Sequence, residues 1–86
     1  MNASLEISMY PLTPAYAEPI VAFIKRLRSY PELEVRTNSM STRLFGPYDQ
    51  LMEILTRELR PIVQGEQKTA LVFKLINEDL REEPRF

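Results

Sequence analysis

Residues 33–46, LEVRTNSMSTRLFG, carry the pattern that decides the fold. Leu33 and Val35 alternate with Glu34 and Arg36, and Met40, Thr42 and Leu44 share a face opposite Ser41, Arg43 and Phe45. A period of two marks half-buried strands. Asn38 and Ser39 supply the turn between them, since Asn tolerates left-handed backbone geometry. The segment is a predicted β-hairpin in the middle of the chain.

Upstream, SLEISMY (4–10) alternates in the same way, with Leu5, Ile7 and Met9 on one face and Ser4, Glu6, Ser8 and Tyr10 on the other. The period then changes. Ile20, Phe23, Ile24 and Leu27 form an apolar stripe that predicts a helix over 15–30. Thr13 and Pro14 suit its cap and first position, with Pro19 as a rival marker of the first turn. Tyr30-Pro31 stops it. Downstream, Pro47 suits the first position of a second helix striped by Leu51, Leu55, Leu59 and Ile62, with Ile54 beside them. Pro61 kinks or ends that helix, and Gly65 closes the region. TALVFKLI (69–76) reads as a last strand.

The order β-α-β-β-α-β predicts an α+β, ferredoxin-like fold: a four-stranded antiparallel sheet with both helices on one face. The expected strand order is last, first, third, second. Residues 1–80 form one domain, and 81–86 are a charged tail, frayed or docked on a partner. The helices are expected to cover Leu5, Ile7, Met9, Leu33, Val35, Leu44, Leu71, Phe73 and Leu75. The other face carries charges of alternating sign from Lys74, Glu6, Arg43, Glu34 and Arg36, with Tyr10, Phe45, Val72 and Ile76 among them. It is either a solvated face or a contact with another copy.

A chain of 86 residues buries a modest share of its surface, so self-association to a dimer or tetramer is expected. Eleven basic and 12 acidic residues give no basic face for nucleic acid. No apolar run reaches the roughly 20 residues of a membrane span, and the first residues lack the pattern of a secretory signal. These features point to the cytoplasm. With no His and no Cys, the chain lacks an imidazole base, a thiol nucleophile and their metal ligands, and no Gly-rich phosphate loop is present. A non-enzymatic role without metal or bound cofactor is the expectation.

The remaining chemistry sits in TNSMST (37–42). Hydroxyl rotors donate or accept in many directions. Asn38 sets a donor beside an acceptor, the pairing that matches an amino group next to a ring nitrogen. Met40 and Tyr10 offer a soft wall and a ring face. The alternative is a plain turn whose Asn and Ser bond their own backbone.

Two stretches, ISMYPLTPAYAEPIVAFIKRL and LEVRTNSMSTRLFGPYDQLMEIL, together resemble the YkoF-like family of thiamine- and hydroxymethylpyrimidine-binding proteins. The likeness rests on Ser8, Tyr10, Pro11 and Leu12, then Thr37, Asn38, Met40, Ser41, Thr42 and Gly46, and spans residues 5–80. It implies a ferredoxin-like domain that binds thiamine or its pyrimidine half unchanged, in dimers or tetramers. It carries the pyrimidine region onto Ser8, Tyr10, Thr37, Asn38, Met40, Ser41 and Thr42. Position 38 is Asn where some relatives carry Asp, so the charge that would pair with a cationic ligand is missing. The rival expectation is a regulatory or assembly domain that docks a partner through the open sheet face.

Overall fold

The computed structural model describes residues 1–86. Its elements are β1 (Asn2–Pro11), α1 (Ala17–Arg28), β2 (Glu34–Thr37), β3 (Thr42–Pro47), α2 (Tyr48–Gln64) and β4 (Thr69–Ile76). The strands form one antiparallel sheet in the order β2-β3-β1-β4, the ferredoxin-like arrangement. Leu5 and Ile7 of β1, Leu44 of β3, Phe23 and Leu27 of α1 and Leu51, Ile54 and Leu55 of α2 close the core, with Leu33. The period-two and helical stripes meet there. No helix is long and apolar enough to cross a membrane.

Local chemistry sets the boundaries. α1 starts at Ala17, later than Thr13-Pro14 suggest, because the Thr13 hydroxyl accepts the Ala15 N–H at 3.4 Å and holds a separate turn. Pro19 then falls in the first helical turn, where a missing N–H costs no intrahelical bond. Pro47 is the extended residue capping α2 rather than its first position, and the helix runs through Pro61 to Gln64. Gly46 is required by close approach: a Cβ there would lie 2.9 Å from the Glu32 carbonyl oxygen and from Leu33 Cδ2.

One expectation about the faces needs correction. The helices lie over β1, β2 and β3 and cover β4 only in part: Leu71 packs against the core, but Phe73 and Leu75 are 49% and 43% exposed. The C-terminal segment runs back along the open face of the sheet. Ser4 Oγ donates to the Glu78 carbonyl at 2.7 Å and accepts the Leu80 N–H at 2.8 Å. Beyond it, Arg81 and Glu83 reach β2 and β3 on the open face.

That path answers a conflict in the sheet. Arg36 and Arg43 sit directly opposite each other on β2 and β3, and like charges so placed repel. Glu83 bridges them, at 3.3 Å from Arg36 Nη1 and 3.0 Å from Arg43 Nη1. Arg36 also donates to the Arg81 carbonyl. The guanidinium carbons of Arg36 and Arg81 lie 5.3 and 6.0 Å from the centre of the Phe45 ring. Phe45 is left only 2% exposed on a face that helices never touch.

Candidate functional site

At the opposite end of β1 the sheet edge opens into a cleft of about 270 Å³. Its floor is the end of β1, from Ile7 to Pro11; one wall is the 37–42 hairpin turn, the other the start of α1. Ser8, Tyr10, Thr37, Asn38, Met40, Ser41 and Thr42, all seven residues singled out from the sequence, line it together. The α1 wall, Tyr16, Ile20, Phe23 and Ile24, was missed. Ile20, Phe23 and Ile24 read as core in a helical stripe. The first crossover lays the N-terminal half of α1 beside the turn, and only the lone aromatic Tyr16 at the helix entry hinted at it.

The turn is built by the Asn38 side chain. Its Oδ1 accepts the N–H groups of Met40 at 2.8 Å and Ser41 at 2.9 Å, while the Asn38 N–H donates to the Ser41 carbonyl at 3.0 Å. No residue in the turn takes a positive φ, so an Asx turn does the work that left-handed geometry was expected to do. The acceptor half of the amide is thereby consumed locally. The donor half, Nδ2, has no partner in the chain.

The hydroxyls divide by face. Thr37 Oγ1 and buried Thr42 Oγ1 lie 3.2 Å apart on the helix side. One donates to the other, which leaves one O–H free. Ser8 Oγ donates a long 3.4 Å bond to the Met40 carbonyl. Ser41 Oγ points to the open side and donates to Glu6 Oε2 at 2.9 Å. That bond, with Lys74 and Arg43 nearby, holds the Glu6 carboxyl below the usual carboxylate range. Glu6 is thus a fixed anion behind the hydroxyl rim rather than in the cleft.

No Asp, Glu, Lys or Arg lines the cleft. Tyr10, Tyr16 and Met40 stand exposed around it. Such a space can hold a flat, uncharged ring between aromatic and thioether surfaces, with a few hydroxyl and amide groups at its rim.

No protein-family model and no curated protein matches this chain. Solved structures do. A Thermotoga maritima protein with a proposed role in thiamine biosynthesis or salvage aligns over 91% of this chain and 85% of its own, with 15% identity and a TM-score of 0.78. A Streptococcus pneumoniae protein aligns over 93% and 90%, with 24% identity and a TM-score of 0.80. A domain of unknown function from Bacillus cereus aligns over 93% and 79%, with 15% identity and a TM-score of 0.66. At these identities the likeness establishes a shared fold.

Proposed function

We propose that this protein binds thiamine or a related hydroxymethylpyrimidine in the β1–hairpin–α1 cleft, without chemical change. The observation that carries the reading is the cleft itself: seven residues matched to a pyrimidine-binding pattern converge on one uncharged space. The Thermotoga maritima neighbour adds weight through its proposed role in thiamine biosynthesis or salvage. At about 270 Å³ the cleft is just below the ~300–1,000 Å³ of most ligand sites. It suits one substituted ring. Asn38 Nδ2 and the free Thr37/Thr42 hydroxyl proton serve ring nitrogens as donors. The matched donor–acceptor pair expected of Asn38 is halved, because its oxygen is held in the turn. The rival role, partner docking through the open sheet face, is disfavoured because the tail already lies on part of that face.

A thermal-shift screen of thiamine, hydroxymethylpyrimidine and their phosphates tests this. Ligand at 100 times its Kd should add about 2.7 kcal/mol of stability. Unphosphorylated compounds should shift the protein more than phosphates, since no cation lines the cleft to receive a phosphoryl group. Asn38→Ala should lose the shift. The absence of a shift with every compound would end the proposal.

A further inference from the structure

Arg36 and Arg43, paired across β2 and β3, are used very unequally. Arg36 gives Nε and Nη2 to Glu34, and Nη1 to the Arg81 carbonyl and to Glu83. Arg43 gives Nη1 to Glu83 at 3.0 Å and makes no other hydrogen bond. Its Nε is buried and has no partner. A buried, charged donor without an acceptor is unfavourable. Glu6 lies opposite Arg43 on β1 but does not relieve it, because that carboxylate goes to Ser41 and Lys74.

Glu83 fits this pair poorly. One oxygen, Oε1, serves both arginines, and the side chain is 64% exposed. Residues 82–86 are all exposed and meet the sheet through no other hydrogen bond or ion pair. The chain just before them is pinned: Ser4 holds Glu78 and Leu80, and Asp79 holds Arg81. Glu83 can therefore swing out while residues 78–81 stay in place. Exposed carboxylate–guanidinium contacts are weak, so an acceptor of better shape displaces it.

We propose that Arg43 and Arg36 form a binding site for a small phosphate monoester, with Glu83 as a tethered stand-in that the phosphoryl group displaces. A phosphoryl group brings three acceptor oxygens. Two of them match the fork of Arg43 Nε–H and a terminal N–H. The third takes Arg36 Nη1, which Glu83 vacates. A free carboxylate offers nothing that Glu83 lacks, and it competes against a group held close by its tether. The charges agree. Arg36, Arg43 and Arg81 face Glu34, Asp79 and Glu83, so the departure of Glu83 leaves one positive charge for the incoming anion. The organic part has a place beside Arg43, in a hollow of about 140 Å³ with Phe45, Ile76 and Leu80 as apolar walls and Lys74 at its edge. That space admits a short carbon chain. It shares no lining residue with the β1–hairpin–α1 cleft, so the site stands whether or not the thiamine reading survives.

Calorimetric titration with n-propyl phosphate, inorganic phosphate and propionate, all at one ionic strength, tests this. Propyl phosphate should bind more tightly than inorganic phosphate, and propionate should give no heat of binding. Glu83→Gln should tighten both phosphates about tenfold, the factor for a strap closed in roughly nine molecules of ten. Arg43→Gln should abolish binding. In NMR spectra of the native chain, propyl phosphate should shift the Arg43 Nε–H signal and leave the Asn38 side-chain amide where it was, which separates this site from the cleft. The spectra and the Glu83→Gln comparison stand even if Arg43→Gln fails to fold. Propionate binding as well as propyl phosphate, a Glu83→Gln variant no tighter than the native chain, or an unmoved Arg43 Nε–H would each overturn the proposal.

Discussion

Ser4 and Ser8 are the same residue type on the same face of the same strand, four residues apart, yet they live in different environments. Ser4 is buried and makes two short bonds to the C-terminal segment. Ser8 makes one long bond to a neighbouring carbonyl beside an open cleft. The two ends of β1 differ in what the chain lays over them. At the Ser4 end, residues more than 70 positions away return to satisfy the hydroxyl, and arginines stack on Phe45. At the Ser8 end, the polar groups are satisfied by near neighbours and space is left over. A fold that closes one end of its bare sheet face with its own tail has put its vacancy at the other end.

The largest test of this contrast uses the two aromatics. Phe45→Ala should cost about 3 kcal/mol, the low end for a buried Phe, because its neighbours on the open face are long arginine side chains that can settle into the vacated space. Tyr10→Ala, at the cleft, should cost less than about 1 kcal/mol, since the ring is half in solvent already. Urea unfolding measures both. Equal costs would mean that the tail does not seal its end.

The serines give a smaller and cleaner pair. Ser4→Ala strands the Leu80 N–H and the Glu78 carbonyl, and should cost about 1–3 kcal/mol. Ser8→Ala should stay within about 0.5 kcal/mol. In a chain of this size each kcal/mol moves Tm by about 4–8 °C, so the two variants separate clearly in a melting experiment. A Ser4→Ala variant that melts with the parent would show the tail contact to be energetically idle.

The same contrast explains what could be read in advance. Strand and helix periods are local, so Leu5-Ile7-Met9, Leu33-Val35 and the Phe23 and Leu51 stripes led directly to the element order and the sheet topology. The hairpin rim was legible for the same reason: TNSMST is contiguous and chemically unusual. The α1 wall was not, because Ile20 and Phe23 carry the same helical signal whether they fill a core or flank a cleft. The tail contacts were not, because they join residues 40 to 77 positions apart. Their one trace was the Arg36–Arg43 opposition, which becomes visible only once the β2–β3 register is known. The partial exposure of β4 was hidden too, since Phe73 and Leu75 alternate like any covered strand and only the helix positions reveal how little lies above them.

The finest distinction between the two ends is how each turn is held. Near the tail, Asp79 Oδ1 accepts from Arg81 Nε at 2.9 Å and from the Arg81 N–H at 3.2 Å. These bonds hold the Asp79 carboxyl below its ordinary value. A carboxyl depressed in the folded state stabilises it above the unfolded pKa of about 3.9 and gives that stability up as pH falls through the lower, folded value. The Asn38 turn is held by an amide that does not titrate. In an NMR titration from neutral pH into acid, the Arg81 amide should therefore move with a midpoint below the ordinary Asp range, while the Met40 amide should stay still. Asp79→Asn should freeze the Arg81 signal and leave Met40 as it was. If Met40 moved with Arg81 in the parent, the two ends would share one acid-sensitive opening. The cleft and the tail would then be parts of a single device, and the independence argued from Ser4 and Ser8 would fall.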